Sequence, residues 1–563
     1  MRDIDHALDK RWHLPDYTQD EWYGALTLEM CTWSAIMLKQ AGFYDFFKDA
    51  RFRDGLDFYG KLLTPPDPRH GNAGAIVPFG NGQGQWNRSG MWAVAASAVK
   101  KDDPVFAGRL MWYWQRAGQP GAFRIGDRND FGWSTLGWID PTIPAKNPEF
   151  ASEWLKDWGI LFRAGCGTPQ ETYMALQMGK PAGLGGYNAE GGFHLYAQGA
   201  PLSLLFGIRS YDVSQHKGSG NLTRQRWLAN RPSFDNRNEQ QGGTGKVVEW
   251  APSSGADYAC GEWTFTRLQA MVNPYPREGD DRLILSKPRW EPEGLEPNIA
   301  GPMKTVPSIT WRRQVLFVKS PDPAGRHYFV IRDSAKTTVP WDWNVWCLSS
   351  DEQVKDNTAS FTGKFGVDLD VVPLTPVPDL VTGACGPTKS FAGDWRQQLY
   401  QVRLSAQDGS FAAVLFPRKE GEATPKIVTK SEATPMGNSA EMQIEFAEET
   451  HRVLLLDDAA YILRFHGTQT TMSLFGTATG LGDKGHKVSI SGDDPLSGAV
   501  TVTFTGTGIS GDAHGPQREV TIESPDGTFT TLTIDGKPVK PAEMDKGKVR
   551  FNLPAGDHTF VVK

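Results

Sequence analysis

The chain has 563 residues, 39% hydrophobic and 22% charged, with a formal net charge of −6. That length exceeds what one hydrophobic core supports and implies several folded units. The acidic balance argues against a general nucleic-acid binder, and no apolar run approaches the roughly 18 residues of a membrane helix.

Five cysteines, Cys31, Cys166, Cys260, Cys347 and Cys385, lie far apart without a CxxC pair. Neither a disulfide framework nor a thiolate zinc site is indicated, and free buried thiols are expected. The start, MRDIDHALDKRW, lacks the apolar stretch of a signal peptide, which leaves a cytoplasmic protein or one whose leader was removed. Twenty tryptophans, many beside Gly, Asn, Asp or Arg as in 84-GQWNR-88 and 131-FGWSTLGW-138, suit both a core and the stacking of sugar rings.

Residues 1–160 have helical texture. The capping-box pattern 18-TQDE-21 precedes Tyr23, Leu26, Met30, Trp33 and Met37, spaced by three and four, and Gly42 stops the run. Asp49 is placed to cap a second helix through Leu63, and a third is expected from Asn87 to Lys100. Asp103-Pro104 opens a fourth, ending at Gly118, and Asn147-Pro148 repeats that start signal before 149-EFASEWLKDWG-159. Short loops between these segments imply helical hairpins.

From about residue 160 the period changes to two. Segments such as 192-GFHLYAQG-199, 311-WRRQVLFVK-319, 327-HYFVIRDS-334, 398-QLYQVRLSA-406, 410-SFAAVLFP-417 and 451-HRVLLLDD-458 predict a large antiparallel β region over 161–480. Residues 481–563, rich in Thr, Val and Gly, predict a small C-terminal β-domain, and 226–261 reads as a polar excursion or lid.

In order and spacing, 16-DYTQDEWYGALTLEMCTWSAIMLKQAG-42, 46-FFKDARFRDGLDF-58, 192-GFHLYAQGAPLSLLFG-207 and 312-RRQVLFVKSPDPAGRHYFVIRDS-334 resemble the heparinase II/III-like polysaccharide lyases, a group that includes alginate lyases. The resemblance covers about 400 residues, to about Phe465. It implies an α+β multidomain fold, with an incomplete (α/α) toroid at the N-terminus followed by the β-sandwich. It also implies β-elimination on a uronic-acid polysaccharide in a cleft between the two. Such chemistry needs a base for the C5 proton, an acid for the leaving oxygen and a group that neutralises the carboxylate.

On that resemblance Tyr23 stands where the helical domain offers its catalytic tyrosine, with Tyr17 and Tyr59 as alternatives; the other reading makes Tyr23 the start of a core stripe. The family's His-x-His-x-Asp-x-Gly-x-Phe pattern falls on residues 185–193, where this chain has Gly185, Tyr187 and Ala189 at the His, His and Asp positions. Downstream, 204-LLFG-207 and Gly220-Asn221 stand where some members have an Asp and a His-Asn pair. The zinc site of part of the family is therefore not expected, and neither metal nor cofactor is assigned.

Tyr187 becomes a second candidate acid, and Asn188 and His216 candidate carboxylate neutralisers. Arg88 is a candidate bidentate contact for the substrate carboxylate, beside Trp86 as a stacking platform and Asn87. Glu190, His194 and His70, which follows Arg69, complete the expected substrate contacts; His194, inside the strand, also reads as structural. Two further readings stay open: a glycoside hydrolase using carboxylates such as Asp20, Glu21 or Glu190, and a non-catalytic glycan-binding protein. The expected partner is an acidic polysaccharide, with no nucleic acid and no membrane insertion, and the expected location is secreted or periplasmic, with cytoplasmic as the alternative.

Overall fold

A computed structural model describes residues 21–563 apart from 78, 80–88, 120–136, 157, 179–189, 206–228, 236, 240–244, 271–282, 286–302, 323, 357, 375–379, 391–392, 405–408, 430–438, 493–496, 507 and 526. At Glu21, Trp22, Tyr23, Leu26, His70, 237–239, 269–270, 283–285, 303–304, 380–390 and 393–396 it describes the backbone alone.

Among the described residues there are four α-helices, α1 (Glu21–Gln40), α2 (Ala50–Lys61), α3 (Gly90–Val99) and α4 (Pro104–Arg116), of which α2 and α4 start at the expected caps, while α3, expected from Asn87, follows Ser89 without a side-chain cap bond. Asp49 accepts from the Arg51 amide at 3.0 Å and Asp103 from the Phe106 amide at 2.9 Å, each satisfying an N–H that the helix itself leaves open. The face that α1 buries differs from the expected stripe. Ala25, Leu28, Thr32, Ala35 and Ile36 are buried, whereas Met30 and Met37 are 52% and 67% exposed. Small side chains win the inner face because they allow close approach to the alanine-rich α3, where Lys39 also reaches the Ala98 carbonyl at 2.7 Å.

Among the described residues of 149–159 no helix forms. Asn147 accepts from the Glu149 amide at 3.0 Å, Glu149 takes a left-handed φ of 53°, and β1 (Glu153–Leu155) pairs antiparallel with β2 (Gly159–Ala164). The pairing prevails because Leu155 is buried under the helices while Trp154 turns outward, a period of two. A Cβ at Gly159 would stand 2.2 Å from the Leu176 carbonyl oxygen, so that turn requires glycine.

β2 continues antiparallel to β3 (Thr172–Gln177), β4 (Phe193–Ala197) and β5 (Ala200–Ser203) within a sheet of nineteen strands among the described residues. The expected period-two segments are strands in it or in the next sheet. The stretch 226–261, expected as an excursion, holds strands at Ser233–Phe234, Arg237–Glu239 and Lys246–Pro252 and the start of Ala256–Ala270. Pairing of Lys246–Pro252 with Ala256–Ala270 overrides the polar composition.

The chain is stacked in layers. Leu161, Tyr173, Ala175 and Tyr196 on one face of β2–β4 join the core of the helices. Phe162, Met174, Phe193 and Leu195 on the opposite face pack against Trp311, Phe317, Phe329 and Trp343 of the remaining leaf of the same sheet. That leaf's far side, with Leu316, Val330 and Val414, lies on a sheet of ten strands among the described residues through Met442, Val453 and Ile462. The ten-stranded sheet takes strands from both sides of residue 480 and covers a five-stranded sheet through Leu474, Val500, Val520 and Phe551.

A buried ion cluster fastens the helices to the sheet. Glu171 accepts both terminal nitrogens of Arg116 at 2.9 Å and lies 3.3 Å from Arg163 Nε. Arg116 also donates to the Thr64 carbonyl, and Arg163 to those of Lys61 and Leu63. Among the described residues Cys31, Cys166, Cys260 and Cys347 form no disulfide, and no helix is long and apolar enough to cross a membrane.

Candidate active site at the helix and sheet junction

Three stretches that carry most of the sequence-derived candidates leave the described structure at neighbouring points. Residues 80–88, with Trp86, Asn87 and Arg88, depart from Phe79. The ring of Phe79 meets the His194 imidazole edge-on at 4.9 Å and Trp158 at 5.6 Å. Residues 179–189, with Tyr187 and Asn188, join β3 to Glu190 and Gly191; the Gly191 amide donates to the Gln177 carbonyl at 2.7 Å and the Gln177 amide to Gly192 at 3.1 Å. Residues 206–228, with His216, return at Ala229 and Asn230, and Asn230 Nδ2 donates to the Phe193 carbonyl at 2.8 Å. All three roots lie along Gly191–His194, at the junction of the helical layer and the sheet.

Beneath the junction lies a buried polar cluster. Arg313 Nη1 donates to the carbonyl of Gly191 and, at 2.8 Å, to that of Asn230. One guanidinium nitrogen thereby holds two of the roots within a few ångströms. Its Nε and Nη2 bind Asp333 at 2.9 and 2.7 Å, and Asp333 also accepts from the indoles of Trp311 and Trp343, each at 2.7 Å. A carboxylate given four donors inside a core is well satisfied, and the arrangement fixes the Arg313 plane. Trp311 stacks on Trp263 at 4.2 Å and stands so close to Gly191 that a Cβ there would fall 2.1 Å from the ring.

On the helix-facing side, Tyr196 donates to Asp67 at 3.1 Å, and Asp67 also takes the Arg69 guanidinium at 2.6 Å. Burial, then the Asp67 charge, pushes the Tyr196 phenol well above its ordinary range, so it remains a protonated donor. Burial and the neighbouring Asp57 do the same to Tyr113.

Of the expected residues, Glu190 and His194 are buried at the junction itself. His194 occupies the helix-facing side of β4, opposite Ala175 in register. Tyr23 lies in the first turn of α1, and His70 ends the short 3-10 turn that Asp67 caps through the Arg69 amide. Tyr59, the alternative to Tyr23, is buried in α2. Trp86, Asn87, Arg88, Tyr187, Asn188, His216, Tyr17 and Asp20 lie outside the described residues, as do the side chains of Tyr23, Glu21 and His70. Among the described residues no group of three or more His, Cys, Asp or Glu side chains is arranged to hold a metal ion.

Sequence reasoning missed Phe79, Asn230, Arg313 and Asp333. A signal for two of them was present: Arg313 follows Trp311 and precedes Val315 on the inward side of its strand, and Asp333 follows Phe329 and Ile331 on the inward side of the next. Charge at an inward position of a period-two strand marks a buried pair. Asn230 and Phe79 carry no such mark.

No protein-family model and no curated protein matches this sequence. Among solved structures the fold resembles a heparinase III at a TM-score of 0.54 and 14% identity, covering 81% of this chain and 62% of that one. The heparan sulfate lyase HepC from Pedobacter heparinus gives 0.53 and 13%, covering 80% and 60%. A further heparinase III gives 0.54 and 11%, covering 83% and 60%. The resemblance read from the sequence is thus present in the fold, and the chain spans about three-fifths of the length of these structures.

Proposed function

We propose that the protein is a polysaccharide lyase that cleaves a uronic-acid-containing glycan by metal-independent β-elimination in a cleft at the helix and sheet junction. The observation that carries this reading is the convergence of described residues next to three candidate-bearing stretches: Phe79 and Asn230 meet Gly191–His194, and Arg313 Nη1 binds the carbonyls of Gly191 and Asn230. The fold it shares with heparinase III and heparan sulfate lyase structures supports it, and the helical layer is read on the same grounds as part of an (α/α) toroid. A secreted or periplasmic location follows from a substrate of that kind.

In this mechanism Tyr23 or Tyr187 removes the C5 proton and returns a proton to the leaving oxygen. Asn188, His216 or Arg88 binds the carboxylate so that charge developing on it is stabilised. Trp86 stacks on a sugar ring, with Asn87 and His70 at the rim.

The test is incubation with alginate, heparan sulfate, hyaluronan, chondroitin, ulvan and glucuronan while following the ultraviolet absorbance of an unsaturated uronate. Absorbance on at least one is expected. New reducing ends without absorbance would establish the hydrolase instead, and binding without either would establish a glycan-binding protein. In an active protein, replacement of the tyrosine that serves as acid, Tyr23→Phe or Tyr187→Phe, lowers kcat about 10²- to 10⁴-fold.

A further inference from the structure

β3 ends on Gln177, a residue flanked by glycine on both sides. Across β2 it stands opposite Gly159, and toward β4 its amide donates to the Gly192 carbonyl at 3.1 Å, continuing the register of Leu176 with Phe193 and Ala175 with His194. Directly opposed residues of antiparallel strands share a face. Gln177 therefore lies on the helix-facing side with Tyr173, Ala175 and His194, and no side chain stands directly beside it on either neighbouring strand.

The Gln177 side chain is only 2% exposed, and its Oε1 has no hydrogen-bond partner among the described residues. Two hydroxyls on this face are used: that of Tyr173 donates to the Leu62 carbonyl and that of Tyr196 to Asp67. A buried amide oxygen without a donor carries a desolvation penalty that an apolar side chain of the same length would avoid. Close by stand Phe79 and the half-buried Trp158, whose carbonyl accepts from the Met178 amide at 3.1 Å. A partly exposed aromatic side chain near an amide with unused hydrogen-bonding capacity is the composition of a sugar subsite.

We infer that Gln177 is a glycan-binding residue, its amide meeting a ring hydroxyl of a sugar seated against the half-buried Trp158 at the glycine-flanked end of β3. Oε1 accepts from the hydroxyl, and rotation of the amide offers Nε2 as a donor to a second oxygen. The inference rests on the proposed location of the cleft and not on the elimination chemistry.

The experiment is calorimetric titration of the full chain with heparan sulfate, hyaluronan and alginate tetrasaccharides and with neutral cellotetraose, for the wild type, Gln177→Met and Gln177→Asn. Methionine keeps the length without the amide; asparagine keeps the amide but withdraws it by one methylene. Removing an unpaired buried group leaves the Tm of Gln177→Met unchanged or raised, while its Kd for the bound oligosaccharide weakens about 5- to 10-fold, the effect of one neutral hydrogen bond.

Equal affinity of wild type and Gln177→Met overturns the inference, as does binding of none of the four probes by the wild type. If Gln177→Met does not fold, Gln177→Asn decides: weakened binding is expected, and unchanged binding overturns the inference. Wild-type binding that depends on Gln177 but yields no unsaturated product sinks the lyase reading alone. Turnover with Kd and KM unchanged in Gln177→Met sinks only the role of Gln177.

Discussion

Asn230 Nδ2 donates to the carbonyl of Phe193 at 2.8 Å, joining the return of residues 206–228 to the first residue of β4. Its Oδ1 accepts from the Trp346 amide at 2.7 Å, and its own backbone is left-handed, at φ 53°. Asparagine tolerates that conformation better than most side chains. Asn230→Gly keeps the backbone freedom and loses both side-chain bonds, so urea unfolding is expected to show a loss of about 2 kcal/mol, at roughly 1 per bond. Asn230→Ala loses the same bonds and adds about 1 to 2 kcal/mol of left-handed strain. Equal stability of the two variants would remove the conformational part of this account.

Gly191 has a φ of 75°, and a Cβ on it would lie 2.1 Å from the Trp311 ring. That ring cannot swing aside freely, because its Nε1 is bound to Asp333 and its face is stacked on Trp263. Gly191→Ala is expected to cost about 3 to 5 kcal/mol, combining overpacking with left-handed strain, and to lower the thermal midpoint. Gly421, also left-handed at φ 81°, has no heavy atom within 4 Å of a built Cβ, so Gly421→Ala should show the strain alone.

Glu171 balances two buried arginines across the helix and sheet boundary. Glu171→Gln leaves Arg116 and Arg163 without their carboxylate, and chemical unfolding should report a loss of about 3 to 5 kcal/mol. The exposed pair of Lys426 with Glu445 serves as the control, since Glu445→Gln is expected to change stability by about 1 kcal/mol or less.

Glu249 follows an irregularity in the pairing of Lys246–Pro252 with Ala256–Ala270; burial, then the charge of Asp458, pushes its carboxyl up to about 7, with Arg312 opposing. Because the folded value lies above the unfolded one, the folded chain holds this proton more tightly. The group's contribution to stability therefore falls as pH rises from about 4.5 to about 7. Glu249→Gln cannot ionise, so its stability relative to wild type should be greater at pH 8 than at pH 5. Equal differences at the two pH values would show that Glu249 does not titrate in that window.

Local rules were legible wherever one residue acts on its near neighbours. Asp49 and Asp103 announced the starts of α2 and α4, because a cap bond spans only two or three residues. Period-two segments such as 311–319 and 410–417 announced strands, because alternation is a property of the extended backbone itself. The same logic failed at 149–159. An asparagine and a proline imitate a helix start there, but pairing of Leu155 opposite Gly159 is decided by a partner strand. It failed again on α1, where the apolar stripe through Met30 and Met37 is the outer one. Which face is buried depends on the shape of α3, which the α1 sequence does not contain.

The candidate site divides in the same way. Residue types suited to sugar chemistry, and the order of helical and β segments, are properties of the chain and could be read from it. The meeting of Phe79 with His194, the hold of Arg313 on Gly191 and Asn230 from more than eighty residues away, and the glycine neighbours of Gln177 are products of strand register and layer stacking. Sequence by itself determined which groups are present and how each short segment prefers to fold, because those preferences are local. Tertiary structure alone decided which groups meet and which polar atoms go unpaired, because burial and pairing are set by contacts between distant parts of the chain.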